Sequence, residues 1–173
     1  MTLLIKRKND VLTDHVLDAL SKAQADFEVI DCDPDLADTT AFCNHYGYAL
    51  DESANAILVA GKGDPPSFAM CVILATTKID VNKVVRKKLG TRKASFATPE
   101  STIEITGMTL GGVTPFGLPE GLPLWIDSRV MECEKVIVGG GSRSRKVYLD
   151  PAGLTNLPNA EIVVGLAKPR PEN

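Results

Sequence analysis

Apolar positions along the chain alternate between helical and strand-like spacing. Val11, Leu12, Val16, Ala19, Leu20 and Ala23 fall on one stripe, which predicts an amphipathic helix from Val11 to Ala25 capped by Asn9 or Asp10. Phe27–Ile30 is strand-like and stops before Asp33-Pro34. A second helix is predicted over Thr39–Leu50, with Asp38 as cap and Ala41, Phe42, Ala49 and either His45 or Tyr46 turned inward. Ala54–Ala60 and Phe68–Thr76 then read as two strands joined by the turn Gly61-Lys62-Gly63-Asp64-Pro65-Pro66. The second of these is apolar on both faces, as a central strand should be.

Asp80 precedes a helix over Val81–Leu89 that Gly90 closes. Its inward face is Val81, Val84, Val85 and Leu89, leaving Lys83, Arg86, Lys87 and Lys88 outward. Thr98 and Pro99 open another short helix. Leu124–Asp127, Lys135–Val138, Val147–Leu149 and Ile162–Leu166 read as strands; Ser128–Cys133 and the surroundings of Leu154 read as turns or short helices. These elements predict a single α+β (α/β-like) domain, with a central mixed sheet of about six or seven strands surrounded by helices. Residues 1–38 would form a helix-and-strand region packed on the domain proper, 39–168, and residues 169–173 a flexible tail.

Composition narrows the class. The 173 residues are 44% hydrophobic and 24% charged, values ordinary for a globular protein. No apolar run approaches the roughly 20 residues of a membrane-spanning helix. In MTLLIKRKND the basic residues follow the apolar patch, which is not the order of a secretory leader. Cys32, Cys43, Cys71 and Cys133 are dispersed among apolar segments and read as buried free thiols, consistent with a cytoplasmic location. Cys43 and His45 are two residues apart and would point away from each other on a helix, so no metal site is expected. The net charge of −3 argues against a general nucleic-acid binder. Even so, Lys78, Lys83, Arg86, Lys87, Lys88, Arg92 and Lys93 face only Asp80 within one stretch. That patch suits a polyanion or a solvated helix surface equally.

Two glycine-dense segments flank the Leu124–Asp127 strand: Gly107–Gly121 (GMTLGGVTPFGLPEG) and Gly139-Gly140-Gly141-Ser142. Neither has the spacing of a phosphate-binding loop. Brought together, they would line a small pocket with backbone N–H groups. The ordered set Asp80-Val81 with Lys83 and Leu89-Gly90, Thr106-Gly107, Gly111–Gly117, Ile126-Asp127, Glu134 with Val136, and Gly140-Gly141 resembles the YbaK/prolyl-tRNA synthetase-associated editing domains. The likeness runs from about Thr39 to Leu157.

The resemblance implies hydrolysis of the aminoacyl ester of mischarged tRNA, with no cofactor and no general-base side chain. Backbone donors and substrate hydroxyls would position the water. It implies Gly111, Gly112, Thr114 and Gly141 as catalytic and Pro115, Phe116, Asp127, Gly140 and Ser142 as substrate-binding. Lys83, Lys87, Lys88, Arg92, Lys93, Arg143 and Arg145 would contact the tRNA acceptor end, and an aminoacyl-tRNA synthetase is a further partner to expect. A lysine that the family carries in its first sheet strand falls here on Ala56, whose methyl group neither donates nor carries charge. If Ala56 faces the pocket, alternation turns Asn55 away. Lys62 and Lys78 are the alternatives for a pocket lysine. A non-catalytic binder of tRNA or a nucleotide-like ligand on the same scaffold is the competing reading.

Overall fold

The computed structural model describes residues 14–171; Asn9, Asp10 and the first residues of the predicted first helix lie outside them. Helix α1 (His15–Lys22) is capped by Asp14, whose carboxylate accepts the Leu17 N–H at 3.1 Å. Its buried residues Val16 and Leu20 join the main core, and such side chains contribute roughly 1.5–3 kcal/mol each. Strand β1 (Phe27–Asp31) leads to α2 (Thr39–Tyr46), which Gly47 ends in a left-handed conformation. Helix α2 is shorter than predicted: a separate turn of 3-10 helix covers Leu50–Glu52. His45 is exposed, and Phe42 and Cys43 take the buried positions.

Next come β2 (Ala54–Gly61), β3 (Ser67–Leu74) and β4 (Thr77–Ile79). The following helix begins as a π turn at Val81–Val85 and continues as α3 (Arg86–Leu89). Then follow β5 (Ala94–Phe96), α4 (Pro99–Thr106), β6 (Leu124–Asp127), β7 (Val136–Gly139), β8 (Arg145–Leu149), β9 (Ala160–Val163) and β10 (Ala167–Pro169).

The α+β class expected from the sequence is the one observed, with a finer division of strands. A five-stranded mixed sheet has the order β5-β2-β3-β6-β9; β1-β8-β7 and β10-β4 form two smaller sheets. Three short strands, β4, β5 and β10, were not anticipated. The last of them takes in Pro169, and Arg170 donates its N–H to Thr76 O at 3.1 Å.

Alternation along the sheet sorts the core into layers. Ala54, Leu58, Met70, Val72, Leu124 and Ile126 pack with α1 and with Val136, Val138, Val147 and Leu149 in one cluster. Val59, Cys71, Ile73 and Trp125 pack on the opposite face with Val85 and Leu166. A third cluster, Cys32, Ala37, Phe42, Cys43 and Ile137, lies where α2 covers the small sheet. This third layer sets the position of the site.

Candidate functional site

Strand β2 is flanked by β3 along its length, but on its other side β5 pairs only with Val59–Gly61. Ala97 donates its N–H to Leu58 O on that side, whereas Ser53 O accepts from Ala75 on the β3 side. Peptide groups alternate along a strand, so those of Ala54 and Ala56 share the edge of Leu58. Beyond a bridge from Ser53 to Ile137 of the neighbouring β7, no strand pairs with this stretch among the described residues. The edge opens onto a cavity of about 180 Å³. Its walls are Ala54–Ile57 of β2, Ala37–Thr39 and Phe42 at the start of α2, Leu110, Gly111 and Val113 of the first glycine segment, and Ile137–Gly139 of β7. Asn55 and Ala56 both border the cavity because it wraps around a strand edge. The Asn55 amide oxygen accepts the Thr39 hydroxyl at 2.6 Å.

Lys146 completes the wall. It lies on β8 opposite Gly139 and Ile30, and α2 covers it to 8% exposure. Its Nζ donates to Ala37 O at 2.6 Å and Gly111 O at 3.4 Å, and sits 5.5 Å from the centre of the Phe42 ring. The ammonium thus ties together two cavity walls more than seventy residues apart in the chain. Burial pushes the Lys146 pKa below the ordinary lysine value, against the opposing pull of the Cys32 and Cys43 thiols and Asp38. At the mouth, Arg143 donates to Pro34 O and Leu110 O, each at 3.0 Å, and lies 3.4 Å from Asp38.

The two glycine segments meet behind this cavity. Gly141 donates its N–H to Gly112 O at 2.8 Å. A Cβ on Gly139 would collide with the Val113 carbonyl oxygen, and one on Gly112 with the Ser142 backbone, so only glycine permits this approach. A buried ion pair braces the contact: Arg145 binds both Asp14 carboxylate oxygens, at 2.6 and 2.8 Å, and donates Nε to Gly140 O at 2.6 Å. Burial would raise the Asp14 carboxyl pKa, but Arg145 and the Leu17 N–H outweigh it and hold it below the usual value.

The model of the aminoacyl-tRNA editing domain matches residues 33–157, which contain every cavity-lining residue. The chain belongs to this family. Among curated relatives, the editing domain is 30% identical over 122 residues to the uncharacterized protein YwhH of Bacillus subtilis, covering 70% of this chain and 75% of that one. It is 26% identical over 157 residues to the multifunctional Ser/Thr-tRNA deacylase ProXp-y of Escherichia coli, covering 90% and 93%. Among solved structures, a hypothetical protein superposes with a TM-score of 0.78 at 18% identity, over 89% of this chain and 99% of the other. A protein described as a trans-editing enzyme candidate for prolyl tRNA synthetase gives 0.73 at 21%, over 87% and 94%. The structural likenesses establish a shared fold.

Several residues singled out in the sequence occupy other places in the editing domain. Gly111 lines the cavity; Gly112, Thr114 and Gly141 do not. The Gly112 N–H donates to Thr109 O and that of Gly141 to Gly112 O, so both amides are engaged within the chain rather than turned into the cavity. Thr114 is fully buried, its hydroxyl without a hydrogen-bond partner. Pro115 borders a separate cleft against α1, and Phe116 is a core residue at 0% exposure. Gly140 packs on Arg145, whereas Gly141 and Ser142 border a cleft on the far side of the segment. Asp127 shares the Trp125 face of the sheet, 3.9 Å from Arg129, and its position is corrected to that opposite layer. Burial raises its pKa despite the N–H groups of Ala167, Arg129 and Ser128 and the Arg129 charge.

The basic residues also separate by environment. Arg145 is committed to Asp14, and Lys88 pairs with Glu161 at 2.7 Å while lying 5.1 Å from the centre of the Trp125 ring. Both are thereby removed from the set of uncommitted cations. Lys83, Lys87, Arg92 and Lys93 are exposed. Neither Lys62 nor Lys78 lines the cavity. The lysine that does, Lys146, is not among the site residues expected from the sequence. The available signal was its place in the alternating run Arg145–Leu149, on the face opposite Val147 and Leu149.

Proposed function

We propose that this editing domain is a trans-editing deacylase that hydrolyses the ester of a small amino acid attached to the wrong tRNA. The observation that carries the reading is the pairing of a bare strand edge with a buried ammonium group across one small cavity. The Ala56 N–H and the Lys146 ammonium supply positive potential where an ester oxygen becomes an oxyanion, and the Ala56 C=O suits the substrate's α-ammonium group. Water adds to the carbonyl carbon and its electron pair moves to the carbonyl oxygen. Collapse then breaks the bond to the ribose oxygen, which takes up a proton, releasing the amino acid and uncharged tRNA. The terminal ribose hydroxyl next to the ester orients the water, a role no side chain of the cavity needs to fill.

A cavity of about 180 Å³, walled by Ala54, Ile57, Phe42 and Val113, favours short side chains by steric exclusion. The Ser/Thr specificity in the name of the Escherichia coli relative supports a substrate of that size. The test is a panel of mischarged tRNAs incubated with the protein, with release of free amino acid followed over the uncatalysed rate. Turnover is expected on seryl, threonyl or alanyl esters and not on leucyl or phenylalanyl esters. Tight binding across the panel without turnover would replace the enzyme by a binding protein on the same scaffold.

A further inference from the structure

A second concavity, of about 560 Å³, lies between β5, β4 and the π turn that follows β4. Lys78, Lys83 and Lys168 surround it, and Asp80 is its one acidic lining residue. That carboxylate accepts the Lys83 N–H and lies 3.3 Å from the Lys168 ammonium, so the groove keeps a positive balance. Phe96 forms part of its rim and is 50% exposed. Among the large hydrophobic residues that the described structure leaves exposed, it is the one aromatic; the others are Leu, Ile and Val. Phe96 stands opposite Val59 on β2, on the face where Ile57 borders the cavity two positions away. The groove and the Ala56 edge are therefore about 10 Å apart along one strand.

We propose that this groove holds the unpaired 3′-terminal nucleotides of the tRNA, with Phe96 stacking against a base and Lys78, Lys83 and Lys168 contacting phosphates. Exposed aromatic faces beside cationic side chains are the combination that grips single-stranded nucleic acid without reading its sequence. The direction fits: β5 runs from the groove toward the cavity end of β2, so a strand lying along it delivers its terminal ester to Ala56 and Lys146. This assignment rests on the deacylase reading for its biological substrate, but its test does not need hydrolysis.

The probes are an uncharged tRNA and the same tRNA lacking its last three nucleotides, titrated against the full chain at two salt concentrations. The intact tRNA is expected to bind about ten-fold more tightly than the trimmed one. Phe96→Ala removes that difference, Phe96→Tyr keeps it, and Lys83→Gln lowers the salt slope by about one. Thermal melts of both Phe96 variants check that the fold is intact. Equal binding of the two tRNAs by the wild-type protein, or an unaltered preference in Phe96→Ala, would overturn the groove. So would equal competition by a blunt RNA duplex. If the binding pattern holds and no mischarged tRNA is turned over, the deacylase reading fails while the groove stands; turnover with an indifferent Phe96→Ala gives the reverse.

Discussion

The two ends of β2 lie on the same edge of one sheet and are finished in opposite ways. At Val59–Gly61 the edge is closed by β5, and the chemistry nearby is carried by exposed lysines and Phe96. At Ala54–Ile57 the edge is left bare, and what surrounds it is buried: Lys146 under α2, two glycine segments in van der Waals contact, and the Asp14–Arg145 pair behind them. One end uses exposed side chains in water, where each charge has a small effect. The other uses fixed groups in a low dielectric, where each has a large one. A substitution at the bare end is therefore expected to cost far more than one at the covered end.

The largest effect is expected from Arg145→Met. It leaves the Asp14 carboxylate buried without its partner, and breaking such a pair costs about 3–5 kcal/mol. Urea denaturation should show the loss, and adding Asp14→Asn should restore part of it. If the single variant is as stable as the wild type, the bracing role of the pair is wrong. Next in size, Lys146→Met should reduce single-turnover hydrolysis about 100-fold, the scale of losing one oxyanion-stabilising group, with the melting temperature shifted little. Its main-chain bonds are lost, but so is the desolvation of a buried charge.

The same lysine makes a prediction about pH. Its folded pKa is below the unfolded value, so between the two the unfolded chain holds the extra proton and stability rises with pH. Catalysis, which needs the charge, should fall across that same alkaline window, beginning below the usual lysine range. A Lys146→Met protein should lose both trends. Asp14 has the same sign at the acid end: its folded pKa is also depressed, so its contribution is full above the ordinary carboxyl value near 3.8 and disappears as pH falls through the folded one. Acid titration of Asp14→Asn against the wild type should show a smaller loss in the variant. The smallest effect belongs to the covered end, where Lys78→Gln should weaken tRNA binding only a few-fold and only at low salt.

The strands with long apolar runs and the helices with cap signals were legible in the sequence. Thr98-Pro99, Asp80 and Gly90 marked their helix ends because each residue satisfies a specific backbone need. Thr77–Ile79 and Ala94–Phe96 were not legible, since three residues contain barely one alternation, and their pairing partners come from distant parts of the chain. Glycine spacing announced that two segments approach each other, yet it contains no information on which way an amide points; the Gly141 N–H turned out to serve the contact itself and the Gly112 N–H a turn within its own segment. The resemblance placed Asp127 with the substrate; in the fold Arg129, which also donates to Ala167 O of β10, lies over it. Lys146 alternates with Val147, a pattern that ordinarily leaves a lysine facing water. The layer formed by α2 and Phe42 removes that option, and no local pattern predicts where α2 will dock.

The methyl group of Ala56 stands where relatives are expected to carry a functional side chain, while the N–H and C=O of Ala56 itself turn toward the cavity. A recognition surface made from main chain is nearly silent to mutational scanning: Ala56→Ser or Ala56→Gly alters the side chain and leaves the donor in place. Such a surface can persist through long sequence drift without leaving an invariant residue to mark it. Its vulnerability is geometric, because one inserted residue in β2 would turn every peptide of that edge through half a revolution.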